Sequence, residues 1–151
     1  MAMLEKSSSV ITFLSRGKAK NNNFQIAADN GSGIICFSPL AQGLLTGKYN
    51  NGIPEGSRAA RSTGFLQLSQ VTEERVEAVK KLAVIAEERK QSIAQMALAW
   101  VLADKRVTSC IIGTSSVAQL ENNLATLDNL SFSEEELERI DSIINNPNLY
   151  F

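Results

Sequence analysis

The chain contains no histidine in 151 residues. That absence removes His-based triads, imidazole metal sites and imidazole acid–base chemistry. Only two cysteines occur, Cys36 and Cys110, far apart and outside any CxxC spacing. They read as buried thiols of a reducing compartment, filling strands rather than forming a disulfide. Charge of one sign is also lacking. The formal net charge is −1, which gives no footing for nucleic acid or another strongly electrostatic partner. No run approaches the ~18 apolar residues of a membrane span. What is present is an ordinary globular balance, 44% hydrophobic and 21% charged, in a length suited to roughly one domain.

The amino-terminal segment stands apart. Met1–Lys20 is short, basic and Ser-rich, and its apolar stretch Val10–Leu14 is shorter than the ~7–15 residues of a signal-peptide core. Asn21-Asn22-Asn23 then marks a turn or linker. Residues 1–23 are therefore set aside as a non-homologous or poorly ordered leader. The alternatives are a strand at Val10–Leu14 or a targeting segment. Residues 24–145 form the domain, and 146–151 a tail.

Within the domain, Phe24–Asn30 ends a helix at an Asn30-Gly31 stop. Gly33–Phe37 is a short continuous apolar run, the pattern of a strand buried on both faces. Ser38–Val71 is a long loop region rich in Gly, Ser and Asn, of a length that is usually functional or disordered. Thr72 caps a helix to about Lys90, with Val76, Val79, Leu82, Ala83 and Ala86 at helical spacing. Ser92 with Gln95 opens a second helix by a capping box, with Trp100 on its core stripe. Val107–Ile112 is a second buried strand, followed by the turn Gly113-Thr114-Ser115. Ser116 with Gln119 caps a helix over Val117–Asp128, and Ser133 with Glu136 caps a last one to about Asn145. The alternation of strand and helix predicts parallel strands covered by helices. Two or three such strands do not make a covered sheet alone, so the chain reads as part of a larger α/β structure or one that pairs with another copy.

Charge is uneven. Residues 1–61 hold seven basic and three acidic residues, a balance of +4, and residues 62–151 hold eight and thirteen, a balance of −5. The positive half also carries the glycine-rich loops. Solvated helix faces explain this balance, and so does an anion site.

Three stretches resemble the aldo-keto reductase family. IICFSPLAQGLLTGKY at 34–49 resembles the seventh-strand segment of that family. GIPEGSR at 52–58 is similar to the next loop in the branch that includes potassium-channel β-subunits and bacterial glyceraldehyde-phosphate reductases. VTSCIIGTSSVAQLENN at 107–123 looks like the eighth strand, its turn and the following helix. The resemblance implies the carboxyl-terminal part of a (β/α)8 TIM barrel, incomplete as a single chain. It also implies NADP(H) as cofactor and reversible carbonyl reduction by hydride transfer. Phe37, Ser38, Pro39, Leu40, Gln42 and Gly43 would line the nicotinamide and pyrophosphate. Lys48, Ser57 and Arg58 would contact phosphates, and Gly113, Ser115, Gln119, Asn122 and Asn123 would hold the adenosine end. Relatives in this branch often carry Glu where this chain has Asn122.

The residues agree chemically with that assignment. The Gly113-Thr114-Ser115 turn opens a helix whose free N–H groups favour a phosphate. Arg58 is suited to a two-pronged grip on a 2′-phosphate. Read without the resemblance, Ser-x-x-Gln is a plain capping box and Arg58 a solvated side chain. Tyr49, next to the loop lysine, reads as packing. The family's catalytic Asp, Tyr, Lys and His lie upstream of the matching region, so the chain is expected to be incompetent alone. A carbonyl substrate would enter only with the missing half supplied. Self-association, a cytoplasmic location and no nucleic-acid or membrane-spanning role complete the expectation. The alternatives are a non-catalytic nucleotide-binding or interaction module, and a truncated gene product.

Overall fold

A computed structural model describes residues 7–10, 23–60 and 66–149. Its centre is a three-stranded parallel sheet in the order β1-β2-β3, with β1 at Ser7–Val10, β2 at Ile34–Phe37 and β3 at Val107–Ile111. β1 lies within the segment that the sequence sets aside as a leader, and it pairs with β2 from Ser7↔Ile34 to Val10↔Phe37. Residues 11–14 of the apolar stretch lie outside the described residues.

Among the described residues five helices accompany the sheet: α1 (Asn23–Asp29), α2 (Glu73–Glu88), α3 (Ile93–Leu102), α4 (Val117–Leu124) and α5 (Glu134–Ile144). The start signals work as the sequence implies. The Thr72 hydroxyl accepts from the Arg75 N–H, and Ser92 and Ser133 form reciprocal capping boxes with Gln95 and Glu136. At α4 the box is not reciprocal. Ser116 caps the Gln119 N–H, but the Gln119 side chain accepts from the Ser115 N–H at 2.8 Å instead. α4 also stops at Leu124, and Ala125–Asp128 tightens into a 3-10 turn.

The long region after β2 is not structureless. Ala41–Thr46, Arg58–Ala60 and Leu68–Gln70 are 3-10 turns, and Leu44, Leu45 and Tyr49 are buried. They join Leu82, Ile85, Met96, Ile140 and Ile144 in the main core, formed by one face each of α2, α3 and α5. Leu149, in the expected tail, is 2% exposed and belongs to the same core. A second cluster of Phe24, Ala27, Ile34, Cys36, Val101 and Val107 fills the layer between the sheet and helices α1 and α3. Trp100 is half-buried and packs against both clusters, as a core residue should.

β3 departs from the expected burial. Thr108, Ser109 and Ile111 are exposed, so only one of its faces is packed. The register with β2 steps from Ile34↔Val107 to Ile35↔Ser109, which leaves Thr108 as an extra residue. This bulge turns Val107 and Cys110 onto the same face despite their odd spacing. α4 is bare on one side as well: Val117, Leu120 and Leu124 are exposed apolar residues at helical spacing.

Candidate functional site

The carboxyl ends of β2 and β3 open into one cleft of about 660 Å³. In parallel α/β sheets this edge is where ligands bind, because the strand-to-helix loops converge there. One wall is the segment after β2, and the other is the turn after β3. Phe37, Ser38, Pro39, Leu40, Gln42, Gly43 and Lys48 line the first wall. Gly113, Ser115 and Gln119 line the second. Residues proposed from two distant parts of the sequence thus face one space.

The first wall is held in an unusual backbone. Ser38, Ala41 and Gln42 have φ of 54°, 48° and 58°, followed by Gly43 at 98°. The left-handed region costs a non-glycine residue of order 1–3 kcal/mol, and such residues collect at binding sites. Here the cost is offset by burial of Ala41, Leu44 and Leu45 and by local hydrogen bonds. Gln42 Nε2 donates to Ser38 Oγ at 2.9 Å, and Thr46 Oγ1 donates to the Gly43 carbonyl at 2.7 Å. The result is a fixed, tightly coiled wall with exposed Lys48 near its end.

The second wall is a helix start. Gln119 Oε1 accepts from both the N–H and the Oγ of Ser115, at 2.8 and 3.1 Å. That pair shapes the turn, and Ser116 Oγ takes the Gln119 N–H, which leaves the N–H groups of Val117 and Ala118 without a partner in the helix. The helix dipole adds partial positive charge at the same place. Lys48 lines the same cleft. The cleft thus combines polar groups with apolar surface from Phe37 and Ile111.

Four proposed residues stand elsewhere or are undetermined. Asn122 is turned away: its Nδ2 donates to Ser92 Oγ at 3.3 Å, and its carbonyl accepts from Gln95 Nε2 at 2.8 Å, so it ties α4 to α3. Asn123 is buried on the inner side of α4, its Nδ2 without a hydrogen-bond partner among the described residues. Ser57 is also buried, 1% exposed, with an Oγ that has no partner among the described residues. Its neighbour Gly56 reaches the cleft, whereas Ser57 does not. Arg58 begins the turn Arg58–Ala60, and its side chain lies outside the described atoms.

Thr46, Tyr49, Ile111, Ile112 and Thr114 also line the cleft, and sequence reasoning does not select them. Thr114 sits between two selected residues of one turn, a signal that the sequence does offer. Tyr49, expected to pack, is buried at 3% and still has one face on the cleft. Among the described residues Lys48 and Tyr49 are the ionisable groups lining it, and no carboxylate does.

Comparison with known proteins decides the family. The model of the Aldo/keto reductase family matches residues 3–145. The chain belongs to the aldo/keto reductase family. The match reaches well into the segment before α1, consistent with the place of β1 in the sheet. An L-glyceraldehyde 3-phosphate reductase of Escherichia coli O157:H7 is 48% identical over 134 residues, covering 87% of this chain and 39% of that protein. A Schizosaccharomyces pombe protein described as "Putative voltage-gated potassium channel subunit beta" is 35% identical over 139 residues, covering 88% and 40%. The chain spans about two fifths of the length of these aldo/keto reductase relatives. In fold it is similar to the glycerol dehydrogenase of Gluconobacter oxydans, with a TM-score of 0.74 at 23% identity, over 95% of this chain and 43% of that one. The sheet and its helices therefore correspond to part of an aldo/keto reductase barrel. Among the described residues no helix is long and apolar enough to cross a membrane.

Proposed function

We propose that this chain supplies the NADP(H)-holding part of an aldo/keto reductase, and that carbonyl reduction requires the rest of the barrel. The observation that carries this reading is the single cleft formed by the 37–48 wall and the Gly113–Gln119 turn. The residues fit the cofactor. The helix start and Lys48 suit phosphates, and Phe37 and Ile111 offer apolar surface to a nicotinamide ring. When bound, the dinucleotide supplies the hydride. Lys48 and the free N–H groups at the start of α4 would neutralise and orient its phosphates, Arg58 would grip the 2′-phosphate, and Ser38 and Gln42 would fix the wall beside the ring.

The need for further elements has its own support. Hydride addition to a carbonyl develops an alkoxide, and a positioned acid contributes ~10²–10⁴-fold to its protonation. The chain has no histidine, and among the described residues its cleft presents Lys48 and Tyr49 as ionisable groups and no carboxylate. The edge of β3 and the bare stripe Val117, Leu120 and Leu124 are the kind of surface that a neighbouring strand and helix cover. The likeness to a protein described as a potassium channel subunit favours a second reading, a non-catalytic nucleotide-binding subunit. A cytoplasmic place for the protein suits its reduced thiols under either reading.

Titration of the purified chain with NADPH, and with NADH in parallel, followed by nicotinamide fluorescence, tests the proposal. Saturable binding with NADPH preferred is expected, with no carbonyl-dependent NADPH oxidation. Turnover by the chain alone would overturn the requirement for further elements. A folded chain that binds neither cofactor would overturn the assignment of the cleft. Turnover gained on adding the amino-terminal portion of a relative would favour the enzyme over the non-catalytic subunit.

A further inference from the structure

The two cysteines, distant in sequence, are register partners on adjacent strands, Cys36 of β2 opposite Cys110 of β3. Neighbouring strands are ~4.8 Å apart, which places such a pair inside the ~4.4–6.8 Å Cα separation that a disulfide spans. Facing partners in a sheet also point the same way. Both side chains pack into the layer that holds Ile34 and Val107, on the side of α1 and α3. Cys110 reaches that side only because Thr108 is bulged out, since regular alternation from Val107 would turn it to the opposite face.

The sulfurs are in contact as hydrogen-bonding groups. The Cys110 thiol donates to the Cys36 sulfur and holds it below the ordinary thiol range. The same bond, with burial, holds Cys110 above that range. Access is unequal. Cys36 is fully buried, and Cys110 is half-buried. An external reagent can therefore begin only at Cys110, with Cys36 behind it as the second sulfur. A reachable thiol backed by a hidden partner is the arrangement in which a mixed disulfide resolves within the protein.

We propose that Cys36 and Cys110 form a reversible dithiol–disulfide pair that is oxidised by low-molecular-weight disulfides such as glutathione disulfide. The Cys110 sulfur attacks one sulfur of glutathione disulfide as its proton passes along the shared hydrogen bond to the Cys36 sulfur, which has lost its own to water. That S–S bond breaks, and one glutathione leaves as thiolate and takes up a proton. The Cys36 sulfur then attacks the Cys110 sulfur of the mixed disulfide. A bond forms between β2 and β3, and the second glutathione leaves with the proton that Cys36 gives up. Two protein thiols become one disulfide, and one glutathione disulfide becomes two glutathione thiols. The next residues on each strand, Phe37 and Ile111, line the cleft, so the bridge fixes the spacing of its floor. The proposal stands independently of the cofactor assigned to that cleft.

The native chain, incubated across ratios of reduced to oxidised glutathione, should be quenched by thiol blocking and mapped by peptide mass. The expected product is a Cys36-peptide joined to a Cys110-peptide within one chain, lighter by two hydrogens and fully reversed by dithiothreitol. Cys36→Ser should accumulate glutathione on Cys110. Cys110→Ser should react at Cys36 at least about tenfold more slowly than Cys110 does in Cys36→Ser, because that thiol is hidden. Should either variant fail to fold, the wild-type map decides alone. A stable glutathione adduct on wild-type Cys110, a bridge between chains, or two free thiols at every ratio would each overturn the pair.

Discussion

The Arg89 guanidinium donates to the Glu136 carboxylate at 2.8 Å, joining the end of α2 to the capping box of α5. Arg89 is 3% exposed in its side chain, and it also lies 3.8 Å over the Phe132 ring and donates to Gln91 Oε1. Burial pushes the Glu136 carboxyl up, but the Ser133 N–H and then Arg89 together hold it below the usual range. A carboxylate lowered in the folded state stabilises above its unfolded pKa, and that stability is lost as pH falls through the folded value. Removing one partner of such a pair leaves the other poorly compensated. Arg89→Ala should cost about 3 kcal/mol and Glu136→Gln about 1 kcal/mol at pH 7. Urea midpoints of wild type and Glu136→Gln should converge as pH drops below about 4.5. A constant gap down to pH 3 would show that the carboxylate charge is not what stabilises this junction.

Gly33 is required for steric reasons, not conformational ones. A Cβ at this position would stand 2.9 Å from Thr108 Oγ1, the bulged residue of β3. Gly33→Ala should therefore destabilise by about 1–2 kcal/mol through overpacking. Thr108→Ala in the same chain removes the obstructing hydroxyl and should recover most of that loss. Thermal melts of the two single variants and the double variant give the coupling directly. Simple additivity would mean that the bulge relaxes by another route.

What the sequence discloses follows the range of the forces involved. Thr72, Ser92 and Ser133 act on the next turn of chain, so their caps are legible. The Gln119 side chain has two nearby N–H groups to choose from, and the turn geometry, invisible in sequence, settles it on Ser115. Ser7–Val10 is a strand because a parallel partner pairs with it, while its own Ser-rich composition argues against one. The cleft residues are legible through long matching motifs. Asn122 shows what a motif does not disclose: its amide bonds to Ser92 at the start of α3. The pairing of Cys36 with Cys110 depends on a one-residue bulge that no periodicity signals.

The two serine caps of α3 and α4 should differ in weight. Ser92 accepts from the Gln95 N–H at 3.2 Å and from Asn122 Nδ2 at 3.3 Å, within a full capping box. Ser116 is exposed and caps the Gln119 N–H alone. Loss of a cap costs about 0.5–2 kcal/mol, and a doubly used cap belongs at the upper end. Ser92→Ala should cost about 2 kcal/mol and Ser116→Ala about 0.5 kcal/mol. Denaturant midpoints at unchanged slope would report the difference. Equal losses would indicate that the contact with Asn122 contributes nothing.

Cofactor selectivity separates the roles assigned to two basic residues. Lys48 lines the cleft and is proposed to meet phosphates common to both nicotinamide dinucleotides. Arg58 is assigned the 2′-phosphate, which NADPH has and NADH lacks. Lys48→Ala should thus weaken NADPH and NADH alike, by about tenfold, as expected for loss of one charge-assisted contact. Arg58→Ala should weaken NADPH by a similar factor and leave NADH nearly unchanged, bringing the two affinities together. Both effects should shrink with added salt, because charge contacts at an open cleft are screened. Binding isotherms for both cofactors at two ionic strengths measure all of this. If Arg58→Ala weakens the two cofactors equally, Arg58 is a general phosphate contact and the preference for NADPH must come from another residue.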